Sequence, residues 1–225
     1  MRTEKFEPMS LPRIKVCCIS SIEESRQAVR MGASALGLVG PMPSGPGVIS
    51  NEDIRVIAAH TPPPVATFLL SGETDAAGIA AHHGKAHTNT LQLVDAVPEA
   101  EYAVLRALLP GVKIVQVIHV LGERSLEEAL RIAPHVDALL LDSGNPFLEV
   151  KILGGTGKTH NWAISRRICA QSPTPVFLAG GLHAGNVRRA LDEVNPYGLD
   201  LCSGVRSDGR LDIAKLEAFF QAAGY

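Results

Sequence analysis

Two glycine-closed apolar runs carry the most suggestive chemistry in this chain. Val176 to Ala179 leads into Gly180 and Gly181, and Leu199 to Cys202 leads into Ser203 and Gly204. Glycine lets backbone amides approach an anion closely, and a helix starting at such a turn presents unpaired N–H groups to it. Both turns therefore suit a phosphate. A third stretch, Gly154, Gly155, Thr156, Gly157, Lys158 and Thr159, offers free amides, hydroxyls and a cation. It is not the nucleotide-binding GxxxxGK[ST] loop, because Ile152 stands where that pattern needs its first glycine.

A thiol and a carboxyl supply the second kind of chemistry. Cys17 ends one apolar run and Asp142 ends another. In a strand, Lys15 and Cys17 share a face and Cys18 takes the other, while Leu140 and Asp142 share a face. Set across a small sugar, Cys17 and Asp142 can serve as general base and general acid if their surroundings tune their proton affinities apart. The plainer readings are a cysteine packed as a small hydrophobe and an aspartate that fixes the next loop. The four cysteines contain no CxxC pair, and adjacent Cys17 and Cys18 diverge along a strand, so reduced thiols are expected. Among the eight histidines, adjacent His82 and His83 lack the i, i+4 spacing of a shared helix face, and no metal site is expected.

These groups need a scaffold that gathers strand ends. Eight short apolar runs alternate with stretches of helical period: Ile14 to Cys18, Ala35 to Val39, Val65 to Leu70, Thr90 to Val94, Lys113 to Ile118, Ala138 to Asp142, Val176 to Ala179 and Leu199 to Cys202. Helix starts are marked at Ser20 and Ser21, at Ser50, and at Ser125 three residues before Glu128. Helix ends are marked by Gly32, by the prolines after Thr61, and by Pro110 with Gly111. The pattern predicts one α/β domain over residues 1–225, a single (β/α)8 TIM barrel with residues 1–13 as an N-terminal extension. A doubly wound open sheet is the rival. In the barrel the loops Gly40 to Gly47 and Ser143 to Thr159 lie at the C-terminal mouth, where active sites are built.

Composition narrows the partners. A formal net charge of -2 offers no field for nucleic acid. No apolar run approaches the roughly 18 residues a membrane span needs, and the first residues lack the apolar centre of a secretory signal. A cytoplasmic protein with a small phosphorylated ligand is expected, with a homo-oligomer left open.

The ordered motifs resemble phosphoribosylanthranilate isomerases, the cofactor-free enzymes of tryptophan biosynthesis, from Ile14 onward. Lys15, Val16 and Cys17 resemble the family's opening K-[IV]-C. Leu91, Gln92 and Leu93 resemble its fourth-strand Q-L segment, and Leu141 and Asp142 with Gly154 to Thr159 and Trp162 resemble its sixth-strand segment. Gly180, Gly181, Leu182, Asn186, Asp200, Ser203, Gly204 and Val205 complete the series.

The resemblance implies an Amadori rearrangement with Cys17 as base and Asp142 as acid. It also implies phosphate contacts at Gly155, Thr156, Gly157, Gly180, Gly181, Ser203 and Gly204, and substrate positioning by Lys15, Gln92 and Arg206. Four departures stand out. Cys18 replaces the glycine after the base, the Q-L-H-G segment reads Gln92, Leu93, Val94, Asp95, and S-G-V-E ends in Arg206. Ser44 to Ser50 lacks the arginine that faces the anthranilate carboxylate. Two explanations compete: Arg206 or Arg210 supplies the missing charge from another loop, or the substrate is a different phosphorylated sugar amine, or merely a bound phospholigand.

Overall fold

Runs of four to six largely apolar residues are too short to bury a helix face but long enough to cross a sheet, and the turn residues around them stop each one. In the computed structural model, which describes residues 11–42, 45–144 and 159–225, they form β1 (Arg13–Val16), β2 (Ala35–Val39), β3 (Ala66–Ser71), β4 (Thr90–Leu93), β5 (Lys113–His119), β6 (Ala138–Asp142), β7 (Val176–Leu178) and β8 (Gly198–Leu201). They pair in chain order, all parallel, and β8 returns to β1 to close a barrel. The outer helices are α1 (Ile22–Arg30), α2 (Asn51–His60), α3 (Ala76–Ala86), α4 (Glu99–Leu108), α5 (Arg124–Ile132), α6 (Trp162–Gln171), α7 (Val187–Val194) and α8 (Ile213–Ala223). A short antiparallel ribbon, β9 (Arg206–Ser207) and β10 (Arg210–Leu211), follows β8. The open-sheet alternative is excluded by the closure.

Parallel strands covered on both sides need apolar residues on both faces, and the buried side chains divide accordingly. Ile14, Val16, Leu91, Leu139 and Leu141 join one cluster with helix residues such as Ala28, Ile54 and Phe219. Cys17, Val94, Val115, Val117, Leu140 and Ala179 join a second cluster that contains no helix residue. The second cluster is the barrel interior, so odd positions of β1 and β5 and even positions of β4, β6 and β8 point inward. Among the described residues no helix is long and apolar enough to cross a membrane.

The serine caps expected from the sequence form with one exception. Ser21 accepts from the Glu24 amide, Ser50 from Asp53, and Asp75 and Asp212 cap α3 and α8 in the same way. Ser125 does not cap: α5 starts at Arg124, and the Ser125 hydroxyl donates instead to the His119 carbonyl at 3.1 Å. The end of β5 thus outcompetes the helix terminus for that hydroxyl. A second correction concerns β1, which stops at Val16 rather than Cys18. Cys18 lies beyond it with φ of 62°, so the strand alternation does not carry to it, and its side chain joins the interior cluster with Cys17.

Candidate active site

The floor of the mouth is an ion pair. Strand alternation points Lys15 inward, and the β1–β8 register sets it opposite Asp200. Its ammonium lies 2.8 Å from Asp200 Oδ1 and 5.3 Å from the Phe68 ring centre, with Lys15 wholly buried. Burial opposes the charge, but Asp200 beside it more than compensates and holds Lys15 above the ordinary lysine range.

Cys17 and Asp142 stand around this pair, both buried and both on the interior face. The adjacent Cys18 thiol is the main influence holding Cys17 below the ordinary thiol range; burial opposes it, and Lys15 reinforces it. For Asp142 burial dominates and pushes the carboxyl up, although the Ser143 amide, 2.7 Å from Oδ1, and the charges of His119 and Lys15 pull the other way. One group is thus biased toward thiolate and the other toward the protonated acid, the split that acid–base work requires. Gln92 is buried on the inner face of β4, and its Oε1 has no hydrogen-bond partner among the described residues.

The two glycine turns lie against each other. Gly180 and Gly181 take φ of 86° and 62°. Asn186 holds this turn, donating to the Gly181 carbonyl at 2.9 Å and accepting from the His183 amide at 2.9 Å. Ser203 and Gly204 lie in a single 3-10 turn after β8. A Cβ on Gly204 would fall 2.0 Å from the Leu182 carbonyl oxygen, so the turns after β7 and β8 share one small space. Gly204→Ala should force them apart. Overpacking of this kind costs about 1–3 kcal/mol, so inorganic phosphate should inhibit roughly tenfold more weakly. An unchanged inhibition constant would remove this turn from the anion site. Gly155, Thr156 and Gly157, expected to contact the same anion, lie outside the described residues.

Arg206 is engaged elsewhere. Its guanidinium contacts Glu24 at 2.9 Å and 3.2 Å, donates to the Gly209 carbonyl at 2.7 Å, and also donates to the Cys18 carbonyl. Arg210 is exposed and pairs with Ser207, which places it on the opposite face of the ribbon from Arg206 and Leu211. Against its burial, the bonds from Arg206 and from the Leu211 and Ser20 amides hold the Glu24 carboxyl below the usual range. Arg206→Ala should therefore cost about 3 kcal/mol at neutral pH, read by urea unfolding. Because Glu24 is depressed in the folded state, that difference is present above its unfolded pKa and fades as pH falls through the folded one. Substrate and inorganic phosphate affinities should change together. A loss confined to the anthranilate-bearing ligand would restore Arg206 to the role of carboxylate partner.

Three groups escaped the reading of the sequence. His119 ends β5, faces inward, and sits in register with Asp142. Its Nε2 lies 3.0 Å from the Val94 carbonyl, while its Nδ1 is buried without a partner among the described residues. Continuing the alternation of Val115 and Val117 would have found it. Asp200 was visible only as a motif residue, not as the partner of Lys15. Cys202 follows it, and its sulfur lies 2.6 Å from that of Cys18. His82 and His83 have ordinary partners, Ser71 and Asn51 for the first and the Thr88 carbonyl for the second. Among the described residues no cluster of three metal-ligating side chains occurs.

A closed parallel barrel with a thiol, a carboxyl and two glycine turns at the carboxyl ends of its strands defines the class: a (β/α)8 barrel equipped for acid–base work on an anionic ligand. The sequence model of the N-(5′-phosphoribosyl)anthranilate (PRA) isomerase family matches residues 14–222. The chain belongs to that family. It is 34% identical over 214 residues to the N-(5′-phosphoribosyl)anthranilate isomerase of Nostoc punctiforme, covering 94% of this chain and 98% of the relative. With the Methanocella arvoryzae enzyme of the same name it shares 30% over 200 residues, covering 89% and 92%. The Thermotoga maritima phosphoribosyl anthranilate isomerase structure superposes with a TM-score of 0.80 at 28% identity, covering 95% of this chain and 98% of that one. A phosphoribosyl anthranilate isomerase holding reduced 1-(o-carboxyphenylamino)-1-deoxyribulose 5-phosphate gives 0.77 at 26% identity, covering 95% and 98%.

Proposed function

We propose that the chain converts N-(5′-phosphoribosyl)anthranilate to 1-(o-carboxyphenylamino)-1-deoxyribulose 5-phosphate, with Asp142 as general acid and Cys17 as general base. The observation that carries this is a buried thiol and a buried carboxyl at the strand ends around the buried Lys15–Asp200 pair, with burial pushing the carboxyl up and the thiol held down. Asp142 protonates the ring oxygen as the C1–O bond breaks, and the anilino nitrogen lone pair forms the C1=N bond of a Schiff base. The Cys17 thiolate then removes the C2 proton, the C2–H electrons form C1=C2, and the C=N electrons return to nitrogen. The resulting enolamine tautomerises, placing the carbonyl at C2 and a second hydrogen on C1.

Binding at the phosphate end positions these carbons. Gly180, Gly181, Ser203 and Gly204 would receive the phosphate, with Gly155, Thr156 and Gly157 as further candidate contacts, so remote binding energy orients C1 and C2. A buried polar atom without a partner costs about 1–3 kcal/mol. A sugar hydroxyl donating to Gln92 Oε1 would recover that cost. Lys15 acts from beneath, as the charge that biases Cys17. The reaction belongs to a cytoplasmic biosynthetic setting and requires no added cofactor.

The decisive experiment is turnover of phosphoribosylanthranilate by the purified chain, followed by the change in anthranilate fluorescence. Phosphate binding without turnover would sink the proposal. One observation favours a second reading, in which the amine differs: residues 40–50 contain no lysine or arginine, and Arg206 is held by Glu24. A phosphoribosyl aniline lacking the carboxylate would then be turned over as well as the anthranilate compound.

A further inference from the structure

The sulfurs of Cys18 and Cys202 lie 2.6 Å apart, closer than two unbonded sulfurs normally approach, and both residues carry free thiols. Neither gives or takes a proton in the acid–base scheme, yet Cys18 adjoins the base Cys17 and Cys202 adjoins the candidate phosphate contact Ser203. Cys18 follows Cys17 beyond the end of β1, and Cys202 opens the 3-10 turn of Ser203 and Gly204. Cys18 is buried, with the backbone near Gly47 covering its Cβ and the Pro46 carbonyl 3.6 Å from its sulfur, whereas Cys202 is partly exposed. The pair thus has an accessible member and a sheltered member already in contact with it.

We propose that Cys18 and Cys202 form a reversible disulfide that lowers turnover, a modification site built across the joint between the first and last strands. Its effect on catalysis rests on the isomerase reading above. The oxidant is a small-molecule disulfide. The Cys202 thiolate attacks one sulfur of it, the small-molecule S–S bond breaks, and one small thiolate leaves to take up the proton Cys202 lost. The Cys18 thiolate then attacks the Cys202 sulfur, the mixed disulfide breaks, and the second small thiolate leaves with the Cys18 proton. Two protein thiols are oxidised and one disulfide is reduced to two thiols.

A disulfide holds its sulfurs about 2.05 Å apart at a fixed dihedral, so the turn after β8 and the segment after β1 lose their independent adjustment. A small misplacement of reacting groups lowers rates steeply, and a loss of about tenfold or more in kcat/KM is expected.

The test treats the reduced, full-length chain with oxidised glutathione and reads linkage and rate separately. Peptide mapping should show Cys18 joined to Cys202, with two of the four cysteines still titrating as thiols under denaturing conditions. Turnover should fall at least tenfold and return with dithiothreitol. Cys18→Gly suits the φ of 62° at that position, and it and Cys202→Ser should each show the same rate before and after the oxidant, whatever that rate is. Absence of the linked peptide, or a linked protein with unaltered turnover, overturns the proposal. An inactive reduced chain that still forms the linkage would instead overturn the isomerase reading.

Discussion

Asp142→Asn should leave a folded barrel in which kcat is lower by roughly a hundred- to ten-thousand-fold, the range a positioned acid contributes. Asparagine keeps the shape and the contact with the Ser143 amide but has no acidic proton for the ring oxygen. Burial favours the protonated form of Asp142, so the wild-type acid persists to a higher pH than a surface aspartate would. Cys17→Ala should cause a loss of similar size, because the C2 proton then has no thiolate to receive it. Circular dichroism should be unchanged in both, since one substitution is isosteric and the other removes a single atom from the interior cluster. The double variant should be little worse than either single one, as groups serving one reaction path are not additive. Near-normal turnover in either single variant would end the assignment.

Lys15→Met carries the second large effect, and it falls on stability as well as rate. Removing one member of a buried, hydrogen-bonded ion pair costs about 3–5 kcal/mol, because the other charge is left without compensation. For a chain of this length that corresponds to a fall of roughly 6–20 °C in Tm. Pairing Lys15→Met with Asp200→Leu should recover much of the loss, since apolar side chains of similar volume replace such pairs with little penalty. The rate has its own signature. The cation favours the thiolate of Cys17 and the carboxylate of Asp142, so its loss raises both proton affinities. Both limbs of the pH profile of kcat/KM should move to higher pH in Lys15→Met. A destabilised enzyme with an unmoved profile would leave Lys15 a structural role only.

The sequence discloses the barrel readily because its signals are local. Each strand announces itself as an apolar run between turn residues, and Ala35–Val39 and Ala138–Asp142 have the predicted bounds. Alternation also sets Lys15 on the face of Cys17 and Asp142 on that of Leu140 without reference to any other strand. The same rule misplaces Cys18 because β1 ends two residues earlier than its apolar run, and a left-handed residue resets the pattern.

The hidden features are contacts made by closure. Lys15 with Asp200, Cys18 with Cys202 and Arg206 with Glu24 join residues 185, 184 and 182 apart, and depend on the register at which β8 meets β1. No local spacing encodes that register. Arg206 shows the consequence: as a cation after β8 it suits a substrate carboxylate, whereas in the fold Glu24 of α1 reaches it first.

The pairing of Lys15 with Asp200 also imposes an order on biosynthesis. Lys15 leaves the ribosome early, whereas its counter-charge is made 185 residues later. At bacterial to eukaryotic elongation speeds, that interval is on the order of ten to forty seconds. Until then, tucking Lys15 into the interior would bury an uncompensated charge, so the nascent chain gains by leaving the first strand in water. The barrel is thereby sealed from its newest end, and the thiol at position 17 acquires its neighbouring cation only when the last strand docks.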